Sequence, residues 1–462
     1  MFHIISVIIA LVLYYESPND YSYSYCFLLH NLFLLYVVYL QIRDKGKEVI
    51  GYNTLFTISY YFTNFVYPIF IYPIDPEFSL FKFDFNHDVI TKATALALVA
   101  YTCYGLGYSR VKNLYTSKFK LTQNASIFPS KVSNNWRKLI VVAFIIFYLF
   151  GGFDMFEHTY QVSVSKAGLI PRLMNIILFP LTIFSTIFIL YDKSYVRQNK
   201  WYFVFGIVSL ALMTTGTRTL PLMLMSVVFY IFCNTRKISR VSIFVILLMG
   251  VFLMSFVGQV RSSGILDARE FNIFEQSSVG YIEKMADLII NNRNLYVFYD
   301  YVQEHGINYG LTMLSTILSP IPFLQSVFVR ITGIPDVLLN SATFSTFLTL
   351  GSRPSLGLGT NLVGDVYLSF GLLGVVVLFY FLGYFVNNIR QKAYAGSLYS
   401  TIAYFVMIAD CIYSCRSAYL GNLRILVWGL FICWIVLKIY PKNYFNKNEY
   451  SNNNCEQSGN NS

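Results

Sequence analysis

The sequence predicts an all-α, polytopic integral membrane protein with about twelve transmembrane helices and one large loop on the outer face. Of its 462 residues, 56% are hydrophobic and only 12% are charged, whereas soluble domains carry about 25% charged residues. Apolar runs of roughly membrane-spanning length recur along the chain. Basic residues gather in alternate loops, so the net charge of +11 indicates orientation in a membrane rather than nucleic-acid binding.

The apolar runs are bounded by charged or Pro/Gly-rich loops, and each predicts a helix. They occupy residues 2–15, 26–42, 49–72, 89–108, 139–153, 173–191, 201–214, 220–234, 241–258, 361–386, 398–415 and 424–440. Because several are short for a hydrocarbon layer of about 30 Å, we expect some ends to be wrong by a turn. The predicted organisation is helices 1–9 in residues 1–258, the large loop in 259–360, helices 10–12 in 361–440, and a disordered cytoplasmic tail in 441–462.

The distribution of Lys and Arg predicts the orientation. Most of these residues lie in loops 43–48, 110–138, 192–200, 236–240 and 390–392 and in the tail from residue 438. The positive-inside rule places these segments and both termini in the cytoplasm. The large loop then lies outside, and it is too long for a simple connector. Its helical patterning over 270–302 and its proline-interrupted apolar piece over 309–328 predict a small folded lid.

Three arginines stand beside glycines at predicted membrane boundaries on the outer side. They are Arg218 in TTGTRTLP, Arg261 in GQVRSSG and Arg353 in GSRPSLGLG, and Arg269 follows shortly after Arg261. The planar guanidinium binds phosphate in a bidentate manner and stays charged. The pattern predicts a site for a pyrophosphate group at headgroup level, and the alternative is that each arginine simply extends to lipid phosphates.

The stretch from Gly351 to Gly374 turns from a Gly/Pro-rich loop into an apolar run near Asn361. It places Asp365 just inside the next span, where an ionisable group costs several kcal/mol unless it is paired or hydrated. Asp365 is either a general base or the partner of an arginine, and we favour the second. Asp410, in another apolar run, is expected to form an ion pair with Arg416 inside the bundle.

Several outer-face residues are candidates for a general base. They are Glu304, His305, Asp365, Asp300 and Glu270. The His305 imidazole can exchange a proton near neutral pH, although a histidine in a loop is more often only solvated.

Two segments resemble a known family. The segment TTGTRTLPLMLMSVV resembles the Gly-x-Arg turn of bacterial oligosaccharide repeat-unit polymerases, the O-antigen (Wzy-type) polymerases. The segment GLGTNLVGDVYLSFGLLGVVVLFYFLG is similar to the family's segment after the large outer loop, where the acidic residue is often glutamate and is Asp365 here. Arg353 and Gly364, like Arg269 and Gly280, also fit the family's Arg-x10-Gly pattern.

The resemblance implies a C-type membrane glycosyltransferase fold in the bacterial cytoplasmic membrane. Such enzymes transfer a growing glycan en bloc from undecaprenyl pyrophosphate to a new lipid-linked repeat unit, with inversion and without metal, nucleotide or other cofactor. The implied partners are the lipid-linked donor and acceptor, membrane lipids, a chain-length regulator and a flippase, with no nucleic acid. We predict the catalytic residues Arg218, Arg353, His305 and Asp365, and the substrate-binding residues Arg261, Arg269, Gly216, Gly359, Asn361 and Tyr367.

Two other functions remain open from the sequence. A lipid-linked oligosaccharide flippase or another transporter has a similar number of spans, but transporters usually contain internal repeats, and none is visible here. An O-antigen ligase shares the fold and the donor, and the Gly-x-Arg segment favours the polymerase. The sequence leaves the sugar composition, the linkage and the final glycan open.

Overall fold

A computed structural model describes most of two regions of the chain, one at each end, and a shorter piece between them. The described residues are 1–43, 48, 50–76, 78, 85–111, 138, 142, 145–146, 149, 219–235, 239, 242, 245, 289–352, 354, 357–395 and 397–439. All regular structure in these ranges is helical, without a strand, which confirms the all-α prediction for this part. The twelve spans and the large outer loop remain predictions, and the helices predicted at 139–153, 173–191, 201–214 and 241–258 lie wholly or largely outside these ranges.

The N-terminal helices follow the predicted apolar runs closely. They are α1 (Phe2–Tyr15), α2 (Tyr23–Arg43), α3 (Tyr52–Asn64) and α4 (Ile90–Arg110). The run predicted as one helix over 49–72 divides into α3 and a π-helical turn, Tyr67–Ile71. Pro68 lies in that turn, and because proline has no backbone N–H, it cannot continue the regular hydrogen-bond ladder of α3.

The second half contains short helices before a long one. In chain order these are α5 (Thr219–Thr235), α6 (Asn292–His305), α7 (Leu314–Leu318), α8 (Leu324–Thr332), α9 (Ser341–Leu350), α10 (Leu362–Tyr394), α11 (Leu398–Asp410) and α12 (Leu423–Ile439). Turns of 3-10 helix lie at Leu311–Met313, Asp336–Leu339 and Ser414–Arg416. In the described part, the amphipathic pattern predicted over 270–302 forms a regular helix from Asn292 onward.

Two of the described helices, α2 and α10, are long and apolar enough to cross a membrane. The other strongly apolar stretches among the described residues are shorter: Phe2–Tyr15, Leu222–Asn234, Leu398–Asp410 and Leu423–Ile435.

Helices α4 and α10 pack against each other along much of their length and form the centre of the described core. At the tightest point, Gly107 of α4 faces Gly383 of α10. A methyl group at Gly107 would overlap the Tyr380 backbone, and one at Gly383 would overlap the Tyr104 backbone. Small residues allow helix backbones to approach closely, which is typical of packing inside membranes.

Helix α10 begins at a side-chain cap and contains a kink. The Asn361 side-chain oxygen accepts hydrogen bonds from the backbone N–H groups of Val363 (2.9 Å) and Gly364 (3.1 Å). At Gly371 the backbone leaves helical geometry, with φ 64° and ψ −159°, a conformation that is essentially restricted to glycine. The part after the kink, residues 372–394, is about 34 Å long at 1.5 Å per residue, enough to cross the hydrocarbon layer.

A polar cluster lies near the far end of α10. We call Glu48, Tyr230, Arg390 and Tyr404 the Glu48 cluster. The Glu48 carboxylate accepts hydrogen bonds from the hydroxyls of Tyr230 (2.7 Å) and Tyr404 (2.9 Å), and it lies 4.0 Å from an Arg390 guanidinium nitrogen. Burial raises the pKa of the Glu48 carboxyl, and the Arg390 charge opposes this shift. The cluster joins the α2–α3 loop to α5, α10 and α11.

The predicted ion pair between Asp410 and Arg416 is wrong. Both residues are described, and no salt bridge joins them. Asp410 is the last residue of α11, whereas Arg416 ends the following 3-10 turn. Their separation in sequence suits two turns of one continuous helix, but α11 ends between them, so the helical spacing does not apply.

Candidate functional site

Asp365 lies in the first turn of α10, and its side chain is fully buried. One carboxylate oxygen accepts a hydrogen bond from the Tyr419 backbone N–H at 2.8 Å. The other lies 3.4 Å from the Thr312 hydroxyl, which donates to it. Thr312 belongs to the segment predicted as the outer loop, and Tyr419 belongs to the α11–α12 connection. Asp365 therefore ties three separate parts of the chain together through neutral donors.

Further hydrogen bonds connect the segment around Thr312 to α10. The Thr312 hydroxyl lies 3.4 Å from the Ser369 hydroxyl, one turn further along α10. The Asn308 side-chain amide donates to Thr312 at 3.2 Å, and the Asn308 backbone N–H donates to the Leu368 carbonyl at 2.9 Å. These bonds fasten the chain after α6 to the part of α10 that precedes the kink.

The predicted binding residues Gly359 and Asn361 form the turn that leads into α10. Gly359 has φ 75°, a left-handed conformation that favours glycine. The Asn361 side-chain amide donates to the Asn64 side chain at 3.1 Å and to the Asn291 carbonyl at 3.4 Å. The turn is thereby fixed to the end of α3 and to the start of α6. Contact of either residue with substrate remains a prediction.

The predicted binding residue Tyr367 belongs to a group of tyrosines. Its ring stacks on that of Tyr299 with centroids 5.1 Å apart and an interplanar angle of 4°. Its hydroxyl accepts a hydrogen bond from the Gln303 side-chain amide at 2.9 Å and lies 3.4 Å from the Tyr14 hydroxyl. Tyr14 also lies 3.2 Å from Tyr299. The group joins α1, α6 and the start of α10.

His305 ends α6 and is largely exposed to solvent, with 57% of its side chain accessible. Its ring stacks on Tyr301 with centroids 4.6 Å apart, and its Nδ1 atom lies 3.7 Å from a carboxylate oxygen of Glu304. The structure thus presents an imidazole beside a carboxylate on an open surface, where a hydroxyl-bearing molecule could reach it.

The other predicted site residues lie outside the described residues. These are Arg218, Arg353, Arg261, Arg269 and Gly216. The predicted partnership of Asp365 with one of these arginines therefore stays a prediction. Asp365 forms no salt bridge with any described residue.

Two further arginines lie near these residues and were not among the predicted site residues. Arg293, in α6, is buried, and its guanidinium donates to the Thr349 hydroxyl at 2.6 Å. Arg416 lies three residues before Tyr419, and its buried Nε atom has no hydrogen-bond partner in the described part. Burial also lowers the pKa of Arg416. An arginine in a connection predicted to lie outside, where basic residues are disfavoured, is a sequence signal that could have revealed Arg416.

The arrangement combines a buried carboxylate, an open imidazole and a guanidinium with spare hydrogen-bonding capacity. In the ranges that the structure describes, no three His, Cys, Asp or Glu side chains are grouped as metal ligands. A guanidinium N–H without a partner can donate to a phosphate oxygen, and an exposed imidazole can serve as a general base.

Comparison with known proteins identifies the family. The description of the matching family is O-antigen polysaccharide polymerase Wzy, and the match covers residues 1–449. No curated protein and no solved structure matches the chain. The family match confirms the resemblance seen in the sequence. The chain therefore belongs to the O-antigen polysaccharide polymerase family, which comprises integral proteins of the bacterial inner membrane that act as glycosyltransferase-type enzymes in polysaccharide biosynthesis.

Proposed function

We propose that this protein joins lipid-linked oligosaccharide repeat units on the outer face of the cytoplasmic membrane. A hydroxyl of the acceptor unit attacks the anomeric carbon of the donor glycan. The bond from that carbon to the undecaprenyl pyrophosphate breaks, the hydroxyl proton passes to a base, and the anomeric configuration inverts. The departing pyrophosphate carries the bond electrons, so the step needs neither nucleotide nor metal. A flippase would supply the units, and a second protein would set chain length.

The observation that carries this proposal is the junction at Asp365. Thr312 and Tyr419 come from two segments that the charge distribution assigns to the outer face, and both bind the first turn of α10. Glu48 and Arg390, which come from two segments assigned to the cytoplasm, lie 4.0 Å apart near the other end of the same helix. This separation supports a multi-pass topology with both termini in the cytoplasm and one reaction site at the outer end.

Asp365 best fits a positioning role. Both of its oxygens already accept hydrogen bonds, and its side chain has no exposed surface. An acceptor hydroxyl could reach it only if the residues that bury it moved. His305 has the accessibility that a general base requires, so we assign proton removal to His305 and alignment of the outer segments to Asp365.

The arginines are assigned to the pyrophosphate. Preorganised cations at the point where charge develops usually make the largest contribution to catalysis. Arg218 and Arg353 would stabilise the leaving group, and Arg261 and Arg269 would line its approach. Arg416 joins this set because its Nε atom is buried without a partner among the described residues. Gly216, Gly359, Asn361 and Tyr367 would shape the wall that holds the glycan.

The decisive experiment uses purified protein in liposomes that contain only its lipid-linked repeat unit, without nucleotide or added metal. We expect a ladder of glycan lengths on a gel, and we expect Arg353→Ala to abolish it while membrane insertion is unchanged. A labelled lipid that changes leaflet without forming a ladder would indicate a flippase instead. Transfer that occurs only after a separate lipid-core acceptor is added would indicate a ligase.

A further inference from the structure

A groove of about 550 Å³ lies between the α7–α8 hairpin and the start of α12. We call it the α8 groove. Its wall includes the apolar side chains Leu318, Ile321 and Phe323 and the charged side chains Arg330, Asp336 and Arg424. The hairpin is fixed to α12 by the Trp428 indole N–H, which donates to the Pro320 carbonyl at 3.0 Å. The groove therefore belongs to the folded structure rather than to a free loop.

The charge of the α8 groove favours an anion. Arg330 comes from α8 and Arg424 from the first turn of α12, and neither forms a salt bridge with another described residue. The acidic wall residue, Asp336, already accepts a hydrogen bond from the Gln325 side-chain amide at 2.5 Å. Gln325 in turn accepts one from the Ser315 hydroxyl at 2.9 Å. Two guanidinium groups without a salt bridge among the described residues, and one carboxylate with a hydrogen-bond partner, thus line the groove.

Exposed apolar residues lie on the groove wall, at Ile321 and Phe323, and on α8 outside the wall, at Val327 and Ile331; we call these four residues the rim. Helix α8 buries none of its residues, and its side chains Val327 and Ile331 are 47% and 79% exposed. Ile321 and Phe323, just before it, are each 60% exposed. In a protein of the inner membrane, a short helix with an uncovered apolar face suits the boundary between lipid chains and headgroups.

The groove lies next to the candidate site along two segments of the chain. Thr312, which binds Asp365, comes just before α7. Tyr419, whose N–H donates to the other Asp365 oxygen, lies five residues before Arg424. Two short stretches of chain therefore connect the groove to the junction that Asp365 organises.

We propose that the α8 groove is a docking site for the pyrophosphate of a polyprenyl lipid, with Arg330 and Arg424 on its phosphates and the apolar rim against its hydrocarbon chain. This proposal rests on the proposed function, because it takes the lipid-linked unit as the substrate. Two guanidinium groups from different helices suit a diphosphate, which carries at least two charges, better than a phospholipid phosphodiester, which carries one. The groove would receive the lipid from the bilayer before transfer.

The test is a binding measurement that requires no turnover. Farnesyl pyrophosphate, a short polyprenyl pyrophosphate, is titrated into purified full-length protein in detergent. The double variant Arg330→Gln with Arg424→Gln should bind about tenfold more weakly or worse, since it loses two charge-assisted contacts. Arg43→Gln is the matched control, because it removes one exposed arginine far along the chain from the groove, and its affinity should equal that of the unaltered protein.

Three results would overturn the proposal. The double variant could bind as tightly as the unaltered protein while its thermal transition is unchanged. Inorganic pyrophosphate could bind as tightly as farnesyl pyrophosphate, which would deny the rim any role. Phosphatidylglycerol could displace the probe at equal concentration, which would make the groove a general site for anionic lipid. If the double variant proves unstable, the single variant Arg330→Gln, at an exposed position, gives the same comparison. Arginine-dependent binding without a glycan ladder would contradict the proposed function and leave the docking site intact.

Discussion

A buried carboxylate lies near each end of helix α10, and the two carboxylates have different hydrogen-bond partners. Near its start, Asp365 receives hydrogen bonds from one backbone N–H and one threonine hydroxyl, both neutral and both from segments outside regular α-helix. Near its other end, Glu48 accepts hydrogen bonds from two tyrosine hydroxyls, one in α5 and one in α11, and it lies beside the Arg390 guanidinium. One carboxylate organises connecting segments, and the other organises helices.

We call the end of α10 near Asp365 the working end and the end near the Glu48 cluster the supporting end. Neutral hydrogen bonds from short connecting segments can rearrange at small cost, because each contributes about 1 kcal/mol. A buried ion pair is more costly to break than to build, since removal of one partner leaves the other charged and desolvated. We therefore expect changes near Asp365 to alter glycan synthesis, and changes at the Glu48 cluster to alter folding and stability.

The largest expected effect tests the supporting end. Glu48→Ala removes the carboxylate beside the Arg390 guanidinium, which is 3% exposed, and should lower the free energy of unfolding by about 3 kcal/mol or more. Thermal unfolding of the purified protein measures this loss, and polymerisation per folded molecule should be unchanged. Glu48→Gln, which keeps a side-chain acceptor for one tyrosine, should cost less. An unaltered transition in Glu48→Ala would remove the distinction between the two ends.

The next effect tests the helix contact that joins the two ends. Gly107→Ala or Gly383→Ala places a methyl group against the backbone of the partner helix, and such overpacking should cost about 1–3 kcal/mol. Thermal unfolding again measures this loss of stability. Because the contact joins both ends of α10, we expect glycan synthesis to fall along with stability. Gly357→Ala is the matched control, because a methyl group there would meet nothing within 4 Å. Equal stability of all three variants would show that the close approach of α4 and α10 is unimportant.

The third effect sharpens the role of Asp365. Asp365→Ala leaves the partly buried Tyr419 N–H without its acceptor, which should cost about 1–3 kcal/mol. If that free energy is lost from the active arrangement of the site, polymerisation should slow roughly ten- to a hundredfold. Asp365→Asn keeps one oxygen as an acceptor, so a positioning role predicts a smaller loss of glycan ladder. If Asp365 were the base, both variants would be equally inactive. Full activity in Asp365→Asn would contradict both roles.

The smallest effect concerns pH. Burial raises the pKa of Glu48 above its ordinary value of 4.5, so the folded chain keeps this proton to a higher pH than the unfolded chain does. The free energy of unfolding should then fall as the pH rises from about 4.5 through the folded-state pKa. Glu48→Gln should flatten this part of the profile, as measured by thermal unfolding at a series of pH values. If the free energy of unfolding of Glu48→Gln fell as steeply with pH as that of the unaltered protein, another group would be responsible for the pH dependence.

The sequence predicted the helices well where hydropathy alone defines them. The run 2–15 corresponds to α1, and the run 220–234 lies within α5. It could not predict the break after α3 or the kink at Gly371, because apolar composition continues through both while the backbone changes conformation. It also assigned Glu48 to a charged cytoplasmic loop, since the tyrosines that bury it are more than 180 residues away in sequence.

The candidate site was predictable in part. The Gly-rich turn, Asn361 and Asp365 were identified from an acidic residue at the start of an apolar run, and they lie at one junction. The donors to Asp365 were not predictable, because a threonine and a backbone N–H carry no sequence signal of their role. Arg330 and Arg424 were overlooked although Gly333 and Gly421 lie three residues from them, the same distance that separates Gly264 from Arg261. Arg416 was considered only as a partner of Asp410.

The kink at Gly371 has a consequence for tracing relatives of this protein. Apolar residues in a membrane helix can replace one another over generations with little penalty, which erases the register of an alignment. A backbone with φ 64° and ψ −159° admits glycine and essentially no other residue. Every mutation that changes the amino acid at this codon therefore damages the helix. A glycine at this fixed distance from the capping Asn361 should therefore remain even where the surrounding residues have diverged. It can serve as a reference position for aligning remote members of the family.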